Sequence, residues 1–159
     1  MKIFCDIDST INNHWVRIQK NYENNAISDK AWSREEIMKD LPLVGSREAL
    51  SGLSKSFEIN FLTARGDIPD GFNITRDWLD LYDFKYNSLI LVKKPIEKVD
   101  FMVNNQPSIL IDDFSRRQEI GPSYIHLYDD VIKQLKIKKI NFFLFKGDWQ
   151  QTIKEIYEN

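Results

Sequence analysis

The sequence predicts an α/β fold in which helices cover both faces of a central parallel β-sheet. Short apolar runs alternate along the chain with segments whose apolar residues recur at helical spacing. Continuous apolar runs of four or five residues are typical of strands buried on both faces, as in a parallel sheet. Because strands and helices alternate, we expect a right-handed, doubly wound arrangement. The length of 159 residues fits one domain with a single core.

Six apolar runs of residues that favour β-structure are the predicted strands. They cover residues 2–5, 59–62, 89–92, 109–111, 124–127 and 141–145. The last two runs are the weaker candidates, so the role of residues 120–159 stays open at this level.

Helices are predicted between these strands, from apolar positions three or four residues apart. The spacing predicts helices over residues 74–82, 96–103 and 149–157. Pro95 suits the start of the second helix because its ring presets a helical backbone angle. Asp70 and Asn73 are alternative N-caps for the first helix, and Asp148 begins the third.

The segment between the first two strands is long compared with the other connections. Residues 11–58 contain no convincing strand, but Ser33 and Glu36 form a capping-box pattern before one helix. A second helix is predicted around residues 48–53. We interpret the segment as a small helical cap over the end of the first strand. The predicted division is a cap at residues 11–58 and a core at residues 1–10 and 59–159.

Composition and charge indicate an ordinary soluble protein, with 42% hydrophobic and 29% charged residues. The net charge of −2 provides no positive field for binding duplex nucleic acid, although a short oligonucleotide stays open as a ligand. The single cysteine, Cys5, excludes an intrachain disulfide and favours a cytoplasmic location. No apolar run approaches the roughly 18 residues of a membrane span, and no signal peptide is expected.

Polar residues end three of the predicted strands. Asp6 and Asp8 follow the first strand, Thr63 follows the second, and Asp112 with Asp113 follows the fourth. Because ligands bind at the carboxyl ends of parallel strands, we expect these side chains to share one crevice. Four carboxylates together would repel one another unless a cation lay among them. Hard oxygen ligands predict Mg²⁺, which in turn favours a phosphorylated ligand.

The order of these motifs resembles that of the haloacid dehalogenase (HAD) superfamily. Residues 6–11, with the sequence DIDSTI, resemble its first motif, D-x-D-x-T/V. Residues 61–63 resemble the second motif. A lysine before the fourth predicted strand resembles the third motif, and residues 109–113 resemble the fourth. The resemblance covers residues 2 to about 114. It implies a HAD-like Rossmannoid three-layer sandwich with a small cap after the first strand.

The resemblance also implies a catalytic role for four residues. Asp6 would attack phosphorus and form an aspartyl-phosphate, while Asp8 would act as general acid and then as general base. Thr63 would hydrogen-bond the phosphoryl group, and Lys98 would stabilise negative charge. Lys94, at a strand end, is the alternative catalytic lysine and an expected substrate contact.

The same resemblance implies a Mg²⁺ site. Its ligands would be a carboxylate oxygen of Asp6, the backbone carbonyl of Asp8, and Asp113, with Asp112 beside the ion or bound through water. Arg65, two residues after Thr63, is expected to meet a second phosphate or a base of the substrate. The alternative for Arg65 is a surface ion pair.

Three functions remain open from the sequence. The favoured one is a 5'-nucleotidase-like phosphatase, resembling the 5'(3')-deoxyribonucleotidase-like branch, that acts on a nucleoside monophosphate or a similar small phosphate ester. The second is a nucleic-acid 3'-end phosphatase, and the third is a non-catalytic HAD-fold binding protein.

Trp15 is expected either to stack on a substrate base or to pack in a helix. The sequence does not reveal the oligomeric state.

Overall fold

Seven strands occur in the computed structural model, which describes residues 1–115 and 128–159. They are β1 (Lys2–Cys5), β2 (Tyr22–Glu23), β3 (Ala26–Ile27), β4 (Glu58–Thr63), β5 (Ser88–Leu91), β6 (Ser108–Asp112) and β7 (Asn141–Leu144). Five of them form one parallel sheet in the order β5-β4-β1-β6-β7, and β2 pairs with β3 separately. Five predicted strands are thereby confirmed to within one residue. The sixth, at 124–127, lies outside the described residues.

Seven α-helices and a 3₁₀ helix are described. They are α1 (His14–Lys20), the 3₁₀ helix (Asp29–Trp32), α2 (Arg34–Ile37), α3 (Ser46–Leu53), α4 (Gly71–Leu81), α5 (Glu97–Asn104), α6 (Asp129–Ile137) and α7 (Trp149–Glu158). The helices predicted from apolar spacing are α4, α5 and α7. Asp148 caps α7, because its side chain accepts from the backbone N–H groups of Gln150 and Gln151. No helix of the described segments is both long and apolar enough to span a bilayer.

The sheet lies between two layers of helices. On one face α3, α4 and α7 pack against the strands, and Leu50, Trp78 and Trp149 belong to that core. On the other face α5 and α6 pack around Phe4 and Leu110. Alternation along each strand explains the two cores, because successive side chains point to opposite faces. The predicted α/β fold with a central parallel sheet is confirmed.

The segment predicted as a helical cap differs from that prediction in one respect. It contains the β2–β3 hairpin, so the prediction that residues 11–58 hold no strand is wrong. Asn24 and Asn25 form the turn with φ angles of 51° and 61°. Two successive residues with positive φ are what a type I′ hairpin turn requires, and asparagine tolerates that conformation. Strands of two residues are too short to show a periodic pattern.

Two parts of this segment have different positions in the fold. The Ser33 hydroxyl caps α2 by accepting from the N–H of Glu36 at 3.3 Å, as the capping pattern predicted, although α2 ends after one turn. In contrast, Ala49 and Leu53 of α3 belong to the buried core beside the sheet. The part that overhangs the carboxyl ends of the strands therefore lies before α3.

Candidate active site

The carboxyl ends of the central strands open into a cavity of about 790 Å³. Asp6 directly follows β1, Thr63 ends β4, and Asp112 ends β6 just before Asp113. Because β1 pairs in parallel with both β4 and β6, these residues lie at one edge of the sheet. Asp6, Thr63 and Asp113 line the cavity, and Asp112 is fully buried. The convergence expected from the strand ends is therefore present.

A buried lysine joins two of these carboxylates. Lys98, in the first turn of α5, places its Nζ 2.8 Å from Oδ1 of Asp6 and 2.7 Å from Oδ2 of Asp112. Burial alone would lower the pKa of Lys98, but the charges of Asp112 and Asp6 outweigh burial and hold it well above its ordinary value. The ring of Tyr128 lies 5.7 Å from the same nitrogen. Lys98 is therefore a fixed positive charge beside Asp6.

The two adjacent aspartates after β6 have different surroundings. Asp112 uses both oxygens, because Oδ2 meets Lys98 and Oδ1 accepts from the N–H of Phe114 at 2.8 Å. Asp113 is held by Thr10, whose hydroxyl donates to Oδ1 at 3.3 Å and accepts from the Asp113 N–H at 3.1 Å. Within the described residues, Oδ2 of Asp113 is the only buried side-chain nitrogen or oxygen without a hydrogen-bond partner. Asp113 thus presents a free oxygen.

The buried carboxylates repel one another. Burial and the charge of Asp112 raise the pKa of Asp6 to about 7, although Lys98 opposes the rise. Burial and the charges of Asp112 and Asp6 also raise the pKa of Asp113 well above its ordinary value. A cation among these groups would favour their ionised forms, because it would offset both the repulsion and the lost hydration.

The donor set fits a divalent cation. Asp6, Asp112 and Asp113 each offer an oxygen, and the three oxygens lie within 4.8 Å of one another. Among the described residues in and around the site, five buried or half-buried carboxylates meet three buried cations: Asp6, Asp8, Asp40, Asp112 and Asp113 against Arg17, Arg65 and Lys98. One divalent ion would neutralise the two excess negative charges. Oxygen ligands without sulfur or imidazole suit Mg²⁺.

Asp8 is held by a fork of hydrogen bonds from Arg65. Nε of Arg65 lies 2.9 Å from Oδ2 and NH2 lies 2.6 Å from Oδ1, while NH1 donates to Thr75 at 3.0 Å. Burial would raise the pKa of Asp8, but the Arg65 guanidinium, with His14 and Arg17, holds it well below its ordinary value. Arg65 is only 2% exposed, so the interpretation as a surface ion pair is wrong. Arg65 lines the cavity beside Asp8.

A second buried arginine, Arg17 of α1, connects the insertion to Asp8. Its Nε lies 3.0 Å from Oδ1 of Asp40, its NH1 donates to the carbonyl of Ala31 at 2.7 Å, and NH2 lies 3.4 Å from Oδ1 of Asp8. Neither Arg17 nor Asp40 was predicted as a site residue. The only available signal was spacing, because His14, Arg17 and Ile18 form the buried face of α1.

His14 also lines the cavity, and its Nδ1 lies 2.7 Å from the hydroxyl of Ser9. Both side chains are buried. Burial lowers the pKa of His14 to about 4, so the ring is neutral at physiological pH. His14 therefore adds a polar but uncharged group to the wall near Asp8.

The remaining predicted residues lie away from the reacting groups. Lys94 is exposed, and its backbone N–H donates to Glu97. Neither Lys94 nor Trp15 lines the cavity, whereas Trp32 and Arg34 of the insertion do. Arg34 also crosses to the core, where its NH2 lies 2.8 Å from Oδ2 of Asp77 in α4.

No protein-family model and no curated protein matches the sequence. Solved structures do resemble the fold. A haloacid dehalogenase-like family hydrolase, SP0104 from Streptococcus pneumoniae, superposes with a TM-score of 0.57 at 11% identity, covering 89% of this chain and 82% of that one. A chain of the Pnkp1/Rnl/Hen1 complex superposes with a TM-score of 0.57 at 17% identity, covering 92% of this chain and 46% of that one.

At these identities the likeness is one of fold. The five-stranded parallel sheet, its flanking helices and the similarity to a HAD-like hydrolase show that this chain has a HAD-like fold. The chain spans less than half of its neighbour from the Pnkp1/Rnl/Hen1 complex. Neither similarity supports the nucleotidase branch, which stays a prediction from the sequence.

Proposed function

We propose that this chain is a Mg²⁺-dependent phosphomonoester hydrolase in which Asp6 is the nucleophile. The observation that carries the proposal is the Lys98 ammonium, which lies 2.8 Å from Asp6 and 2.7 Å from Asp112. Beside it, Asp113 offers its unpartnered oxygen. A carboxylate nucleophile, a fixed cation and a cation-binding pair of aspartates are the groups that phosphoryl transfer needs, because its catalysis depends on positioning and on charge.

The reaction proceeds in two displacements at phosphorus. First, a carboxylate oxygen of Asp6 forms a bond to phosphorus while the bond to the leaving oxygen breaks. Water then attacks the aspartyl-phosphate, which releases Asp6 and inorganic phosphate. Lys98 stays bonded to Asp6 and offsets negative charge in both steps, and Thr63 donates its hydroxyl to the phosphoryl group.

Asp8 is the proposed proton carrier. The leaving oxygen must receive a proton in the first step, and the attacking water must lose one in the second. The fork from Arg65 keeps Asp8 ionised, which is the form that accepts a proton from water. For Asp8 to act as an acid, a bound substrate must displace part of this fork, so that the pKa of Asp8 rises and the carboxylate takes up a proton from solvent before the first step. The proton taken from water in the second step then restores the acid.

Asp6 and Asp113 would hold Mg²⁺, with the backbone carbonyl of Asp8 as a third ligand and Asp112 orienting Lys98. Bound there, the ion would supply a Lewis acid that neutralises phosphoryl oxygens. Thr10 supports this set because its hydroxyl positions Asp113.

A nucleoside monophosphate or a similar small ester is the proposed substrate. The volume of about 790 Å³ is within the usual range for small-molecule sites. Outside the buried cluster, the described residues that line the cavity include three aspartates, Asp29, Asp67 and Asp70, and one basic residue, Arg34. This charge disfavours additional phosphates.

A nucleic-acid 3'-end phosphatase is the second candidate, and the likeness to a chain of the Pnkp1/Rnl/Hen1 complex favours it. Hydrolysis of a 3'-phosphorylated oligonucleotide can be compared with that of the matching nucleoside 3'-monophosphate. A much higher kcat/KM on the oligonucleotide would promote this second candidate over the first.

The proposal is tested by assaying p-nitrophenyl phosphate and a panel of nucleotides and sugar phosphates, with Mg²⁺ and with EDTA. We expect hydrolysis that EDTA abolishes and that Asp6→Asn lowers by about 10³-fold or more. The matched control is Asp130→Asn, at an exposed position of α6, which should retain full activity. Folded wild-type protein that hydrolyses none of the esters, or an active Asp6→Asn variant, would refute the proposal.

A further inference from the structure

We propose that the part of the cavity wall contributed by the insertion binds the aromatic base of a nucleotide, with Trp32 as its stacking surface. This inference rests on the proposed function only in placing the phosphate of the ligand at Asp6. It concerns the wall contributed by the insertion, which lies beside the strand ends and their carboxylates. It selects a heteroaromatic ligand over a plain sugar phosphate.

Trp32 is held as a rigid part of the wall. It ends the 3₁₀ helix, which is capped by the Ser28 side chain. Its ring lies 5.2 Å from the guanidinium carbon of Arg17. Arg17 is itself 3% exposed and tied to Asp40 and to the carbonyl of Ala31. Because the ring packs on a guanidinium that cannot move freely, Trp32 would lose little additional side-chain entropy when a ligand stacks on it.

Part of the remaining cavity lining is apolar. Ile68 and Pro69 follow β4, Ile74 lies on α4, and Pro95 precedes α5, and all four line the cavity together with Trp32. A ribose phosphate alone would leave these surfaces uncovered, since its groups are hydroxyls and charges. A planar base covers them while its edge meets polar groups such as the carboxylate of Asp29, which also lines the cavity.

The base site and the reacting end are linked through one side chain. The Arg17 guanidinium packs on Trp32 and also lies 3.4 Å from Oδ1 of Asp8. A ligand that stacks on Trp32 is therefore next to the residues that would handle its phosphate. The hydrogen bonds of Arg17 fix the relative position of the two ends.

The test compares nucleoside 5'- and 3'-monophosphates with ribose 5-phosphate, which carries the sugar and phosphate but no base. Base–aromatic stacking contributes about 1–3 kcal/mol. We therefore expect Trp32→Ala to raise KM for the nucleotides by about 5- to 150-fold, with kcat nearly unchanged. KM for ribose 5-phosphate should not move. Trp32→Phe should restore most of the loss, because it keeps an aromatic face.

Tyr22→Ala is the matched control, since Tyr22 is an exposed aromatic residue of the same insertion. This substitution should change neither the KM for the nucleotides nor the KM for ribose 5-phosphate. Thermal melts of each variant check folding, so that a general loss of structure is not mistaken for loss of the base site.

Calorimetric titration of the Asp6→Asn background with a nucleoside 5'-monophosphate separates this inference from the proposed function. Nucleotide binding that weakens with Trp32→Ala, when folded wild-type protein hydrolyses no ester, would support the base site and refute the phosphatase. Wild-type protein that hydrolyses ribose 5-phosphate as efficiently as nucleotides would overturn the base site and leave the phosphatase standing. An unchanged nucleotide KM in Trp32→Ala would do the same.

Discussion

The two ends of the cavity are built by different parts of the chain and by different interactions. At the core end, Asp6 and Asp112 are positioned by paired strands, and Lys98 joins them within a fully buried cluster. At the insertion end, Arg17 and Trp32 come from a short helix and a 3₁₀ helix. Side-chain hydrogen bonds, rather than a sheet, hold these elements in place.

The difference indicates a division of labour. The backbone hydrogen bonds of a sheet hold the reacting groups in precise positions, and phosphoryl transfer depends on such positioning. A wall held by side chains can vary more than the central sheet can, so it is the natural place for substrate selection. Changes at the core end should therefore abolish chemistry, whereas changes at the insertion end should alter binding or local stability.

Lys98→Met should have the largest effect, because it leaves Asp6 and Asp112 buried without their cation. Removing one partner of a buried ion pair costs about 3–5 kcal/mol, and activity should be lost as well. Urea unfolding and steady-state kinetics measure both. Lys133→Met, at an exposed position of α6, is the control and should match wild type. Wild-type stability in Lys98→Met would contradict the role of the lysine as the central cation.

Arg17→Met should come next, with about 2–3 kcal/mol lost in urea unfolding. The loss is limited because burial already raises the pKa of Asp40, which can then take up a proton. The double variant Arg17→Met/Asp40→Leu should recover part of the stability, since it leaves no unpaired buried carboxylate. A double variant less stable than the single one would show that the pair is not the main role of Arg17.

Mg²⁺ should bind more tightly as pH rises, by roughly tenfold between pH 6 and pH 8. Burial and Asp112 raise the pKa of Asp6 to about 7, so below that pH a proton competes with the ion for the carboxylate. The measurement is the increase in Tm caused by Mg²⁺ at pH 6 and at pH 8, which should be larger at pH 8. The titration of His14 also changes Tm with pH, but it does so both with and without Mg²⁺. Comparing Tm with and without the ion at the same pH therefore removes most of the His14 contribution. Asp113→Asn should abolish the increase, and an equal increase at both pH values would contradict the assignment of Asp6.

Arg34→Gln should have the smallest effect. It removes the ion pair with Asp77 that joins the insertion to α4, but both side chains are substantially exposed. We expect Tm to fall by at most about 2 °C, and the difference should vanish in 1 M salt. A large loss that persists in high salt would mean that this contact anchors the insertion.

The core end could be predicted from sequence because its signals are local. Each acidic or hydroxyl residue follows an apolar run, and parallel strands bring such residues to one edge. The family resemblance, rather than the strand ends, favoured Lys98 over Lys94, and in the structure Lys98 contacts Asp6 while Lys94 is exposed. Thr10 belongs to the first motif, but its hydrogen bonds to Asp113 appear only in three dimensions.

The insertion end could not be predicted in this way. Arg17 and Asp40 are separated by 23 positions, and no pattern in the sequence marks them as partners. Trp15 and Trp32 are equally aromatic in the sequence, yet only Trp32 lines the cavity. Short elements such as the hairpin at Asn24 and Asn25 bury too few residues to leave a periodic signal.

The sequence by itself determined the alternation of strands and helices and the identity of the acidic groups at the strand ends. Both follow from local apolar patterns, because burying the apolar residues requires strands and helices at these positions. Only the tertiary structure decided which aspartate keeps a free oxygen, which arginines hold Asp8, and which tryptophan lines the cavity. Those outcomes depend on contacts between distant residues, whose energies exist only once the chain has folded.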